Sequence, residues 1–353
     1  VDTNILLFRK GEYRGQTRSA IYSKAELPSN GDLSEWMATH SVACSFTEAP
    51  WVVLDPIAQR IKAKVEAVGV PLRDWDIQIN YGIKTGYNEA FVITTAKRDE
   101  ILANCRDEAE RARTGELIRP VLRGRDVGRY RAEWAGLWLV YISWHFPLPE
   151  KEWTVVDALG REAHRPDLLQ AAEGAFAEQY PALYAYLQQH EEGLRARNKE
   201  EVGRRYEWYA LQRYGAEYTG GFRRPKIVYP NMTKFLPFVY DEQGYYTNQK
   251  CFIITGIQLG YLTAFLNSSL FKYCFTDSFP ELQGRTRELS KVFFDNIPVK
   301  PVNEEDEVRY LAAVKGIQQT YTRERAEAID QMIFAHYGLT PEEIASIGYI
   351  ESR

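Results

Sequence analysis

Cysteine is scarce. Cys44, Cys105, Cys251 and Cys274 are scattered, and no C-x-x-C pair occurs. This excludes a cysteine zinc site and a disulfide framework, and it fits a reducing, cytoplasmic setting. Histidine is equally thin: His40, His145, His164, His190 and His336 lie far apart, with no H-x-x-x-H or H-E-x-x-H spacing. Neither a metal centre nor a histidine-based triad is expected. No lysine follows an aspartate or glutamate by two residues, which argues against nucleases of the PD-(D/E)xK type. No glycine-rich turn fits a dinucleotide or methyl-donor site. An Asn-Pro-Pro-Tyr turn, which holds a target amine in amino-methyltransferases, is missing; Asn296-Ile297-Pro298 is not one. No apolar run approaches the ~18–20 residues of a membrane span. The start lacks a basic segment followed by a long apolar one, so no signal peptide is read there. It also lacks an initiator methionine, so a piece of a longer polypeptide is expected. Catalytic and metal-binding residues are thus expected to be none, and membrane contact absent.

What is present is a soluble composition. Of 353 residues, 45% are hydrophobic and 26% charged, enough for a large core and one to three domains. Net charge is −4, which counts mildly against a nucleic-acid partner. The distribution matters more. Arg119–Arg131 holds five arginines against one aspartate, and Arg204–Lys226 holds five arginines and one lysine against two glutamates. Aromatics reach 13%, with 23 tyrosines and 8 tryptophans. Such side chains suit interfaces as well as cores.

The pattern along the chain predicts an α+β fold. Val1–Arg9 reads as a buried strand that pairs with a run at Ser19–Ser23 in an edge hairpin. Leu54–Gly69 predicts a helix with Asp55 as N-cap, Pro56 at its first turn, Gly69 as its stop, and a stripe of Ile57, Ile61, Val65 and Val68. Asn80–Ile93 reads as strand, tight turn and strand. Lys97–Thr114 predicts one polar helix, and Ile118–Val121 and Ala135–Ser143 predict strands. Pro166–Arg205 predicts a long helical stretch restarted by Pro181, with Tyr206–Arg213 continuing it. Strands are expected at Lys226–Tyr229, Phe235–Tyr240, Tyr245–Thr247, Lys250–Thr255 and Leu289–Phe294, with Asp241–Gly244 as a hairpin turn. Gln258–Phe275 reads as a helix interrupted at Asn267–Ser269. The end predicts helices with stripes of Val308, Leu311, Val314 and Tyr321, then Ile329, Met332, Ile333 and His336. Gly338 stops the second, and Thr340-Pro341-Glu342-Glu343 forms a capping box for a third. The division expected is 1–50 as a connection, 51–165 as a first β-rich part, 166–213 as a helical spacer, 214–300 as a second β-rich part, and 301–353 as a helical tail.

Three stretches carry polar chemistry. In Gly82–Asn88 two glycines free the backbone, and Lys84, Thr85 and Asn88 offer donors that could clamp a phosphate; the alternative is an ordinary polar hairpin. The arginine run offers Arg119, Arg123, Arg125 and the Arg129-Tyr130 step, since arginine pairs with phosphate and bonds guanine bidentately. The alternative is a solvated turn with internal arginine–carboxylate pairs. Gly220–Lys226 places Arg223, Arg224 and Lys226 after a glycine pair that could equally be a flexible linker. Arg285 and Arg287 form a weaker third basic loop.

The ordered set G-I-K-T-G-Y-N-E-A-F-V-I (82–93), I-R-P-V-L-R-G-R-D-V-G-R-Y (118–130), R-R-P-K-I-V-Y-P (223–230), F-L-N-S-S-L (265–270) and N-I-P-V (296–299) resembles the TaqI-like C-terminal specificity domain. Residues 329–344 look like that family's helical tail, and 1–8 like a late strand of a methyltransferase core. The resemblance implies a target-recognition domain that reads double-stranded DNA beside an adenine-specific methyltransferase core, in a type IIG restriction-modification enzyme or a related methylase. It implies two β-rich recognition regions, no catalysis by this piece, and S-adenosylmethionine, with magnesium for any nuclease, in the remainder of the parent. The family's base-reading residues vary with the target, so only the loops carry over. The polar residues in them are chosen on chemistry.

Two other classes compete. One is a protein-interaction scaffold that docks a separate restriction or defence subunit through its aromatic surface. The other is a self-contained hydrolase, which the missing acidic–lysine pairs and clustered histidines disfavour.

Overall fold

Ile77, Ile79 and Tyr81 alternate with polar residues, as an edge strand with one buried face requires. The strand's partner is far away in sequence. The computed structural model describes residues 10–12, 15–20, 33–44, 56–156, 162–234, 237–282, 284 and 286–350. In it Ile77–Tyr81 pairs with Cys251–Gly256, which pairs with Lys226–Pro230, which pairs with Val239–Asp241, all antiparallel. A second sheet runs Tyr246–Thr247, Ile118–Leu122, Leu137–Val140, Val92–Thr94. Its first pair is parallel and the other two are antiparallel. Each sheet therefore takes strands from both β-rich stretches of the sequence.

This exchange corrects two local expectations. Asn80–Ile93 is not a hairpin: its first strand lies in one sheet, and Val92–Thr94 lies in the other after a short helix, Asn88–Phe91. Asp241–Gly244 does turn sharply, with Gly244 at φ +76° and the Asp241 carboxylate accepting from the Gln243 and Tyr245 amides at 2.8 and 3.0 Å. The turn passes the chain to the second sheet rather than back along the first.

The first sheet is covered on both faces. Ile79, Ile227, Tyr229, Phe252 and Ile254 face one core, with the helices Pro56–Val68, Leu259–Leu266, Ser269–Phe275, Glu304–Gln319 and Arg323–His336. Val228, Val239, Cys251 and Ile253 face the other, shared with the second sheet. All five residues of Lys226–Pro230 are consequently buried, as its continuous apolar reading requires.

The stretch between the β-rich parts forms three helices, Leu168–Gln179, Pro181–Gln188 and Glu191–Ala196. Phe176, Leu183, Leu187 and Leu194 are fully buried in the second core, so these helices wall the second sheet. Tyr206–Arg213 does not continue them. Tyr206, Trp208, Tyr209, Ala210 and Leu211 thread through the core in irregular backbone, and the Leu211 amide donates to the Ile142 carbonyl at 3.0 Å.

The helix expected over Lys97–Thr114 is two, Thr95–Ala103 and Glu108–Gly115. Asp107 caps the second by accepting from the Glu110 amide at 2.7 Å. Leu289–Phe294 is not a strand; Lys291–Phe294 is a helical turn. Pro56–Val68 forms as expected, although Val68 is exposed and Ala58 is buried beside Ile61 and Val65. The break at Asn267-Ser268 holds: Ser268 caps Ser269–Phe275, and the Asn267 amide group bonds both backbone groups of Phe238. Thr340 and Glu343 make the capping box, at 2.8 and 3.3 Å. In the N-terminal part Thr17–Ser19 pairs with Val42–Cys44. Val1–Arg9, Asp55, Phe235 and Leu236 lie outside the described residues.

Candidate nucleic-acid interface

Gly82 passes from one sheet to the other under the 246–250 segment. A Cβ there would meet the Asn248 carbonyl oxygen at 2.1 Å, so only glycine fits. The next amides are fixed by long-range bonds: Ile83 donates to the Thr247 carbonyl at 2.7 Å, and Lys84 and Arg213 exchange backbone bonds at 3.0 and 2.9 Å. Thr85 is buried and its hydroxyl donates to Asn88 Oδ1 at 2.6 Å. Thr85 thus spends its hydroxyl on Asn88, while Lys84 and the Nδ2 group of the exposed Asn88 keep donors without a partner.

The arginine run divides the same way. Arg119 pairs with Glu116. Arg123 forks onto Asp126 at 2.9 and 2.8 Å while its own amide donates to that carboxylate at 2.8 Å. Burial pushes the Asp126 carboxyl up, but the Arg123 bonds outweigh it and hold the group below the usual carboxylate range. Arg129 Nε donates to the Asn267 carbonyl at 3.0 Å, and Tyr130 is fully buried with its hydroxyl on the Ala264 carbonyl at 3.3 Å. Arg125 alone in this set is exposed with neither hydrogen bond nor ion pair.

In the third stretch Arg223 lies against the Tyr246 hydroxyl, which raises its guanidinium above the ordinary value. Arg224 is exposed and unpaired. Lys226 is a correction: it is fully buried, with Nζ 2.5 Å from Asp241 Oδ2 and 2.7 Å from the Phe222 carbonyl. A lysine points into the core here because strand alternation puts it beside an aspartate that two amides already orient. Burial lowers its basicity, although Asp241 opposes this. Arg287 bonds Glu281, Asp277 and the Phe279 carbonyl. Arg285 lies outside the described residues.

The cations left free converge with two others. Arg213 and Lys250 are exposed, and their side chains make no hydrogen bond or ion pair. Backbone bonds stitch them into one seam where the sheets meet. Arg213 is bonded to Lys84, Gly82 donates to the Cys251 carbonyl at 2.9 Å, and Asn248 donates to the Leu122 carbonyl at 3.3 Å. The Lys250 amide donates to Asn248 Oδ1 at 3.1 Å, and the Lys250 carbonyl accepts from Asn231 at 2.8 Å. A Cβ on Gly124, next to Arg125, would lie 3.5 Å from the Lys250 carbonyl oxygen. Lys84, Arg213, Lys250 and Arg125 therefore sit on adjoining backbone segments and make no ion pair, Arg125 lying beside an Asp126 that Arg123 already holds; the arrangement suits a row of phosphates. Arg223 lies toward the other end of Ile118–Leu122, by Glu116. In the sequence Arg213 falls in a basic run but at the end of a stretch that reads as helical, and Lys250 carries no local signal. Only tertiary pairing brings them to Lys84.

His145 Nδ1 and Glu207 Oε1 are 2.9 Å apart in a buried pair, and burial lowers His336. Among the described residues no three His, Cys, Asp or Glu side chains are grouped to hold a metal ion, and no helix is long and apolar enough to cross a membrane.

The model of the TaqI-like C-terminal specificity domain matches residues 119–299, just over half of the chain. Among solved structures, the type IIL restriction-modification enzyme MmeI in complex with DNA is similar at 10% identity and a TM-score of 0.46, over 88% of this chain and 39% of that one. The type IIG restriction endonuclease BpuSI is similar at 11% identity and a TM-score of 0.42, over 81% of this chain and 34% of that one. The chain thus spans well under half the length of either enzyme. No curated protein matches it.

Proposed function

Because this chain belongs to the TaqI-like C-terminal specificity domain family, we propose that it is the target-recognition module of a restriction-modification enzyme or adenine-specific DNA methyltransferase and reads double-stranded DNA in sequence. The observation that carries this is the seam of Lys84, Arg213, Lys250 and Arg125, four cations on adjoining backbone segments whose side chains make no ion pair. In a chain of net charge −4, such a cluster supplies a local phosphate site that the total charge conceals. Lysine at the seam sets position as a point charge, and arginine can add bidentate contacts to phosphate or guanine. Arg224, unpaired on another edge, is a further contact candidate. The expected phosphate role of Thr85 reduces, in this reading, to shaping the turn that presents Lys84, while Asn88 keeps its Nδ2 donors for a phosphate.

Recognition and positioning are the chain's part in this proposal. The parent polypeptide supplies the methyltransferase core, S-adenosylmethionine as methyl donor, and magnesium where it also cleaves. Selection from a randomised duplex pool tests the reading: one short sequence should be enriched by the purified chain. A pool that emerges unenriched, or binding unaffected by salt, would overturn it.

A further inference from the structure

Tyr81 is the last residue of the edge strand and is 58% exposed, although its alternation partner Ile79 is buried. Its ring rests on Phe252, with centroids 4.4 Å apart and planes at 39°. Phe252 is itself buried and stacks on Tyr229 at 5.3 Å and 10°. Three rings thus run outward from the core, and the outermost presents its free face to solvent. The backing is rigid: Tyr81 and Phe252 face each other in the ladder, and the following amide, of Gly82, is bonded to Cys251. Lys84 lies three residues beyond Tyr81, Lys250 two before Phe252, and Arg213 is paired with Lys84 through the backbone.

An exposed tyrosine alone is unremarkable, because folded surfaces carry many apolar atoms. A tyrosine held by a buried aromatic stack, on a strand end whose adjoining backbone segments carry unpaired cations, has a more specific use. Every nucleobase has a π-face, and an aromatic ring on a cationic surface binds a base that has left its own stack. A paired, stacked duplex offers no such face.

We infer that Tyr81 is a stacking platform for a base displaced from the duplex, with Lys84, Arg213 and Lys250 holding the flanking phosphates. This rests on the DNA-binding reading above and adds that the bound duplex is unstacked at the seam. A duplex with a nucleotide already unpaired costs less to distort, so it binds more tightly than its fully paired counterpart.

The test uses the full chain and two labelled duplexes of identical sequence, one fully paired and one with a single bulged adenine, read by fluorescence anisotropy. Wild type should prefer the bulged duplex by about tenfold. Tyr81→Phe should keep that preference. Tyr81→Ala and Tyr81→Leu should abolish it; leucine keeps apolar area but no π-face. A wild type that binds both duplexes equally, or a leucine variant that retains the preference, would overturn the inference and leave the DNA-binding reading intact. If neither duplex shows salt-dependent binding, both fall together. Tyr81 is exposed, so these variants fold, and a circular dichroism melt records it.

Discussion

Arg197 reaches back across the chain to donate from Nη1 to the Thr85 carbonyl at 2.5 Å. The same guanidinium donates to the Leu194 carbonyl at 3.0 Å, to Trp208 at 2.7 Å and to Ala210. It is buried with no carboxylate, and burial lowers its basicity to about 10. This one side chain ties the turn that presents Lys84 to the thread that ends at Arg213. Arg197→Met should strand several carbonyls, at about 1–3 kcal/mol each, for a loss of about 3 kcal/mol or more in urea unfolding. Arg197→Lys, which keeps charge but fewer donors, should lose less.

Arg123 and Arg125 stand two residues apart and should behave differently. Arg123 is locked on Asp126, whereas Arg125 is free. Arg125→Ala should weaken duplex binding several-fold and leave the unfolding midpoint in place. Arg123→Ala should lower the midpoint, by about 1–3 kcal/mol for a charge-assisted pair, and change DNA affinity less. Equal effects of the two on binding would contradict the assignment.

Lys226 tests whether the basic loop's last member is core or surface. Lys226→Met leaves Asp241 buried with two amide donors but no cation, and breaking a buried pair costs about 3–5 kcal/mol. The double variant Lys226→Met with Asp241→Asn should recover part of that loss. DNA affinity of the folded single variant should be unchanged. A stable variant with weakened binding would return Lys226 to the interface.

Asp126 gives the pH dependence. Its folded carboxyl is held below its unfolded value of about 3.9. The stability it contributes is therefore present above about pH 4 and lost as pH falls through the lower, folded value. Asp126→Asn should be less stable than wild type at about pH 7, and the gap should close toward about pH 2–3. Urea midpoints at several pH values read this directly; a constant gap would contradict it.

What could be read from sequence was local. The capping box at Thr340–Glu343, the start of Pro56–Val68 at a proline, and the break at Asn267-Ser268 depend on neighbours a few residues away, and they stand as expected. The partner of a strand does not depend on neighbours. Ile77–Tyr81 has the same alternation whether it pairs with Val92–Thr94 or with Cys251–Gly256, and the apparent hairpin concealed a crossover between sheets. Burial of polar residues was hidden likewise: Arg224 and Lys226 look alike in sequence, but a partner at Asp241 draws only the second inward. The seam lay beyond reach for the same reason, since Lys84, Arg213 and Lys250 meet only through tertiary pairing.

The most direct test of the seam is the salt dependence of duplex binding. Log affinity against log salt, from about 50 to about 200 mM, falls with a slope near −0.9 per phosphate neutralised. Replacing Lys84, Arg213, Lys250 and Arg125 together by glutamine should flatten that slope by about 3–4 while the fold persists. An unchanged slope would show that these four cations do not hold DNA and would contradict the account.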